Sequence, residues 1–186
     1  GAISGGRAFV SPTTDVERTF GNELTTDGTS VNYSFDFRMD SLAGGGDIFF
    51  SPTALPYNTG QNYANSLGFT INQNLAGTII QIWEGGTTQN ITVALGVGTS
   101  YTINGSISRA GGVATYTSFL NSSPLHNGTF ALTDARGLNG VELYESVGTS
   151  ANTTSFDNIR LAPVPEPATM SVIGLGVLAL LRRRRR

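Results

Sequence analysis

The stretch VNYSFDFRMD, residues 31–40, constrains the fold more than any other part of the chain. Val31, Tyr33, Phe35, Phe37 and Met39 fall on one side of an extended strand, and Asn32, Ser34, Asp36, Arg38 and Asp40 fall on the other. Successive strand side chains point to opposite faces, so this segment has one apolar and one solvated polar face. A helix would scatter the aromatic residues around its circumference. Such a strand needs another apolar face to pack on, and the rest of the chain supplies candidates. DIFFS (47–51), LGFTIN (67–72), GTIIQIWE (77–84) and NITVAL (90–95) are short apolar-rich runs separated by turn formers, among them Gly44–Gly46 and Gly85–Gly86. In SYTINGSISRAGGVATYTSFL a strand with Tyr101, Ile103 and Ile107 turns at RAGG and returns along Val113–Leu120. GVELYES (140–146) and SFDNIRLA (155–162) complete the series. Ahead of residue 163 there is no helical stripe of useful length and no internal repeat. About nine short strands at spacings of roughly ten residues predict an all-β fold, an antiparallel β-sandwich over residues 1–161. The long polar loop Pro52–Ser66 is the natural carrier of any function.

Charge separates this body from the C-terminal tail. Lysine is absent, and as far as Leu161 there are twelve acidic residues against six arginines, a net −6. A body of that sign lacks the basic footprint needed to bind nucleic acid. Only 13% of residues are charged, as in many exported β-proteins. With no cysteine, a disulfide framework and a Cys-ligated zinc site are both excluded. The first residue is Gly1 and no basic-then-apolar leader comes after it, so a removed secretory signal and a partial chain are both open readings.

The segment 162–167, Ala-Pro-Val-Pro-Glu-Pro, reads as an extended, exposed linker, since three prolines remove backbone donors and fix φ. Residues 168–181 are uncharged and mostly apolar; as a helix they would rise about 21 Å against a hydrocarbon core of ~30 Å. That is a short transmembrane helix, workable if Arg182, Arg183, Arg184, Arg185 and Arg186 snorkel and the bilayer thins. Those five arginines form a cytoplasmic stop-transfer cluster, so the body lies on the far side of the membrane. A Pro-Glu-Pro motif, an apolar helix and an arginine cluster in this order resemble the PEP-CTERM sorting signal over Val164–Arg186. The resemblance implies a bacterial protein recognised by exosortase, a membrane-embedded transpeptidase-like enzyme found alongside exopolysaccharide production. Val164, Pro165, Glu166 and Pro167 are then what the enzyme reads. It further implies an inner-membrane-anchored precursor that passes to the cell surface or extracellular matrix.

The body in turn resembles the jelly rolls of laminin-G-like and concanavalin-like proteins. The resemblance is carried by VERTFGNELTTDGTSVNYSFDFRMD early and by the aromatic–Asp–polar–aliphatic run Phe156-Asp157-Asn158-Ile159 late. It implies a fold whose members include carbohydrate-binding modules and glycosidases. A glycosidase needs two carboxyls flanking one bond. Glu142 and Glu145 are three apart in a strand and point to opposite faces, while Glu84 reads as a solvated carboxylate at a Gly-Gly turn. No catalytic set emerges. His126, the sole histidine, sits in SSPLHNG and reads as a solvated turn residue without triad or zinc partners. No metal site is assigned; Asp157 is a candidate for a structural calcium, set against an ordinary strand Asp bonding nearby amides. Tyr57, Tyr63 and Trp83 are candidate glycan contacts, with Trp83 equally placed to be core. The expectation is a non-enzymatic surface or matrix protein without a cofactor. The alternatives are a carbohydrate-binding module for exopolysaccharide and a glycan hydrolase.

Overall fold

The alternation at residues 31–40 becomes β4 (Ser30–Met39), whose side chains alternate between burial and exposure along nearly its whole length. In the computed structural model, residues 2–4, 7–9, 16–19, 24–40, 45–52, 63–74, 77–147 and 154–164 are described, without the side chains of 1–23, 63, 72–79 and 144–147. Three short strands precede β4: β1 (Ala2–Ser4), β2 (Arg7–Phe9) and β3 (Val16–Thr19). They are too short to show a period in sequence. After β4 come β5 (Gly45–Ser51), β6 (Leu67–Asn74), β7 (Gly77–Glu84) and β8 (Thr87–Val93). The series continues with β9 (Ser100–Ala110), β10 (Val113–Leu120), β11 (Ser123–Ala131), β12 (Gly140–Val147) and β13 (Thr154–Pro163). They form two antiparallel sheets, a first of order β1-β2-β13-β4-β9-β10-β11 and a second of order β3-β12-β5-β6-β7-β8. The two-sheet all-β sandwich expected from the sequence is therefore present.

The inner faces meet in an aromatic core. Phe35 is wholly buried, and its ring lies 5.4 Å from Phe69 and 6.3 Å from Phe50 across the sheets, and 6.2 Å from Phe156 beside it. Tilted pairs at these separations add favourable ring–ring terms to the area buried. Tyr33 needs more, because its hydroxyl is buried too. It donates to the Thr117 carbonyl at 2.9 Å and meets Ser118 Oγ at 2.5 Å, reaching β10 across β9. Gly105 stands opposite Tyr33 on β9, and a Cβ there would overlap both the phenol and the Thr117 carbonyl. Glycine is required at this position for close approach rather than for φ. Burial pushes the Tyr33 hydroxyl well above the usual phenol range, so it stays a donor.

Two β-bulges break the alternation and change which side chains reach which face. In β13, Asp157 pairs Asp36 and Arg160 pairs Ser34, so Asn158 and Ile159 together oppose Phe35. Asn158 adopts φ +50°, a left-handed conformation that asparagine tolerates better than most residues. Strict alternation from the buried Phe156 would aim Arg160 inward; the bulge turns it out and Leu161 in. In β11, Phe119 pairs Pro124 while Ser118 pairs His126, leaving Leu125 extra and His126 on the inner face.

The structure corrects the sequence reading at several places in the strands, including Gly45 and Gly46, which read as turn and begin β5. SSPLHNG is largely strand β11 and not a turn, so His126 is a strand residue. Ala162 and Pro163, expected in the linker, continue β13 and pair Asn32 and Val31. Proline is tolerated there because β2 pairs β13 only at Ser155 and Phe156, so the strand's far end is locally an edge. The outer face of β4 is also less solvated than alternation suggests. Asp36 accepts from Thr102 Oγ1 at 2.6 Å and from Asn158 Nδ2 at 2.7 Å, and Arg38 pairs with Asp40 at 2.6 Å. The expected transmembrane helix 168–181 lies outside the described residues; among those described, no helix is long and apolar enough to cross a membrane.

Truncating Phe35 to alanine should cost about 3–5 kcal/mol, from lost burial and a cavity. Against a total stability of ~5–15 kcal/mol this is a large share. Melting of the full chain in mild detergent should fall by roughly ten degrees or more. Asp36→Ser should cost about 1–2 kcal/mol, the loss of two hydrogen bonds at a half-buried carboxylate. Equal losses from the two variants would show that the polar face holds a buried ion.

Candidate functional site

A groove of about 460 Å³ crosses the outer face of the first sheet, over β13, β4, β9 and β10. The register places its walls. One row runs Arg160, Ser34, Asn104, Phe119, each opposite the next on the neighbouring strand. The second runs Ala162, Asn32, Ser106, Thr117. The backbone of Tyr33 and Gly105 lies between the rows as a floor. Ser106 Oγ and Thr117 Oγ1 are 3.1 Å apart. The side chains of Asn32, Ser34, Asn104 and Arg160 make no hydrogen bond or ion pair among the described residues, so their donors and acceptors face the groove unspent. Arg160 is exposed, and no carboxylate lines the groove.

A second polar cluster joins the two sheets from within. Glu84, at the end of β7, accepts hydrogen bonds from the Tyr116 hydroxyl and, at 2.8 Å, from His126 Nε2. Its side chain is only 10% exposed, so it is not the solvated turn carboxylate that the sequence suggested. Gly128 opposes Tyr116 in the ladder, and the Glu84 carboxylate occupies the space a Cβ would take there. An ionised carboxylate only accepts, which places the histidine proton on Nε2. Burial, and then the Glu84 carboxylate, push the Tyr116 hydroxyl far above the phenol range. A tyrosine held protonated, 1% exposed, is a fixed hydrogen-bond donor. The cluster is a strut between sheets. No sequence signal joins positions 84, 116 and 126; the β11 bulge and the sheet stacking do.

The outer face of the second sheet holds the remaining candidates. Trp83 lies there, half-buried and outside the core between the sheets. Its Nε1 donates to Thr70 Oγ1 at 2.9 Å, and its ring lies 6.0 Å from Phe49. Gly68 sits between them in the ladder, covered by the Phe49 ring. Asp47 and Glu142 share this face but are 3% and 6% exposed. The Glu145 side chain, Tyr57, and the side chain of Tyr63 at the start of the short 3-10 helix Tyr63–Asn65 lie outside the described residues. Asp157 Oδ1 accepts from the backbone of Asn158 at 2.7 Å, the ordinary role for a strand aspartate at a bulge. Among the described residues, no group of three or more His, Asp or Glu converges to hold a metal ion.

The last described hydrogen bond of the sandwich runs from Val164 N to the Ser30 carbonyl, 2.8 Å. Pro165, Glu166, Pro167 and the five terminal arginines lie beyond the described residues. Comparison with known proteins bears on both parts. No curated protein sequence matches the chain. Among solved structures, the body is similar to the alginate lyase Aly36B, with a TM-score of 0.58 and 16% identity over 86% of this chain and 82% of that one. It is also similar to a sialidase, with a TM-score of 0.51 and 14% identity over 80% of this chain but only 14% of that one. At such identities the likeness is one of fold. Residues 163–186 match the PEP-CTERM protein-sorting motif, so the chain is a β-sandwich with jelly-roll neighbours that carries this sorting motif from Pro163, the final residue of its last described strand.

Proposed function

We propose that this chain is an exported surface or extracellular-matrix protein, processed by exosortase, whose body holds and does not cleave. The observation that carries the reading is the sorting motif at residues 163–186, adjoining the end of β13. The sandwich grips the chain up to Val164, and Pro165-Glu166-Pro167 follow the last described sheet bond. A protease-like enzyme needs its substrate extended, and three prolines in five residues keep the segment from folding back. The apolar run 168–181 with Arg182–Arg186 behind it then anchors the precursor, arginines on the cytoplasmic side.

A non-enzymatic body is supported by where its carboxylates sit. Glu84 is engaged on the inner face of the second sheet, and Asp47 and Glu142 are nearly closed to solvent on its outer face. No pair among them is open to flank a glycosidic bond. The fold neighbours named as an alginate lyase and a sialidase make a glycan-active enzyme the natural rival. A second reading, a carbohydrate-binding body that holds the cell's own exopolysaccharide, is favoured by the polar groove on the first sheet. Rows of unspent amide and hydroxyl groups suit the dense hydroxyls of a sugar chain.

Glu166→Ala should leave the fold and its melting unchanged, because the residue lies past the last sheet hydrogen bond, yet accumulate uncleaved precursor in immunoblots. Normal amounts of mature protein would show that the motif is not read. Replacing Arg182–Arg186 with serine should lower the membrane-retained precursor sharply on fractionation, since the stop-transfer charge is gone. Incubation of the purified chain with soluble polysaccharides should release no new reducing ends; release would establish the hydrolase reading instead.

A further inference from the structure

The groove on the first sheet has a feature that a generic sugar site does not require, a cation, the only one lining it among the described residues, aimed into it by a break in strand alternation. Arg160 would face the core if β13 were regular; the bulge at Asn158 and Ile159 presents it outward, at the head of the row Ser34, Asn104, Phe119. Three bonds fix that bulge. Asn158 N donates to Asp157 Oδ1 at 2.7 Å, Asn158 Nδ2 donates to Asp36 Oδ2 at 2.7 Å, and Thr102 Oγ1 donates to Asp36 Oδ1 at 2.6 Å. The same bonds engage Asp36 and Asp157, and neither carboxylate forms an ion pair with Arg160. Bulges that re-aim a side chain are concentrated at functional positions.

Spacing adds a second argument. Neighbouring strands lie about 4.8 Å apart, so a row of side chains across four strands repeats at the length of one extended pyranose unit. The two rows stand two residues apart along each strand, about 6.8 Å, so a sugar chain laid across the strands touches both rows at once. Asn32 and Ser34 on β4 and Asn104 on β9 then meet ring hydroxyls from either side, and Phe119 offers an apolar face at the far end. Arg160 at the near end can take a carboxylate in a two-pronged pair.

We propose that this groove binds a carboxylated polysaccharide, a uronic-acid polymer, with Arg160 pairing one uronate and the Asn–Ser rows holding the chain. The inference rests on the glycan-holding reading and narrows it to acidic chains. Because the body carries a net −6, diffuse attraction does not draw a polyanion to it; binding depends on the groove itself.

The test uses the full chain in mild detergent over sensors coated with polygalacturonate or with dextran, in low and high salt. Polygalacturonate should be retained and dextran far less. Arg160→Gln should weaken retention about tenfold, the loss of one charge-assisted pair, with Arg160→Lys intermediate and melting unchanged in both. Asn104→Leu, which fills the groove without touching the charge, should abolish retention. High salt should erode binding of the parent more than that of Arg160→Gln. Equal retention of both polymers, unaffected by Arg160→Gln, would overturn the selectivity for acidic chains and leave glycan holding intact. Retention of polygalacturonate that survives Asn104→Leu would overturn the groove as its site. Retention of neither polymer would overturn this proposal and the glycan-holding reading together.

Discussion

The structure depends on one constraint, that the apolar face of β4 be covered along its length. Val31, Tyr33, Phe35, Phe37 and Met39 are all at most 2% exposed. Most of the cover comes from the second sheet, where Phe50 and Phe69 meet Tyr33 and Phe35. Phe156 on β13 and Tyr101 on β9 complete it from either side within the first sheet. Burial of these rings is non-directional and would tolerate some sliding. Within the first sheet the Tyr33 hydroxyl is more exacting, since it must reach Thr117 and Ser118 on β10 past Gly105 on β9. The hydrophobic term holds the two sheets together, and this buried polar contact fixes how β4, β9 and β10 sit within the first.

The same division appears at the opposite corner. Glu84 crosses from the second sheet to Tyr116 and His126 on the first, through space that Gly128 leaves open. Both polar struts use a glycine opposite a tyrosine, at Tyr33–Gly105 and Tyr116–Gly128. Each lets a phenol buried in the sandwich find its partner without forcing the strands apart. Arg109 works similarly at the hairpin end, donating to the carbonyls of Leu24 and Thr25 and pinning the turn before β4. The frame that results is rigid beneath the groove and holds the chain in register up to Val164, where the sorting segment leaves.

The proposed functions divide between two parts with different physics. In that reading the Pro-Glu-Pro segment is recognised as extended chain and the arginines oppose transfer across a membrane. The proposed groove relies on strand regularity: four neighbouring strands repeat their side chains at a fixed spacing, and a bulge turns Arg160 outward. Asp47 and Glu142 are buried on the second sheet, and Glu84 is engaged by Tyr116 and His126.

Much of this was legible in the chain itself. Period-two alternation identified the buried faces of β4 and β9, because a strand's two faces are fixed by parity alone, and the tail was legible because its order of proline, apolar and arginine segments needs no fold to be recognised. What parity could not reveal is where it breaks. His126 reads as a turn residue, and strict alternation aims Arg160 into the core; the bulges at Leu125 and at Asn158–Ile159 shift the phase of both. A bulge costs the sequence one residue and leaves no periodic trace. Nor could any local pattern bring Glu84 to Tyr116 and His126, or line up Arg160 with Ser34, Asn104 and Phe119. Those neighbours are set by which strands pair and how the two sheets stack, and both depend on long-range burial. The sequence determined most of the longer strands and which way β4 faces, because alternation is a local property; only the tertiary structure decided which strands meet, because contact between distant strands is fixed by the packing of the whole core.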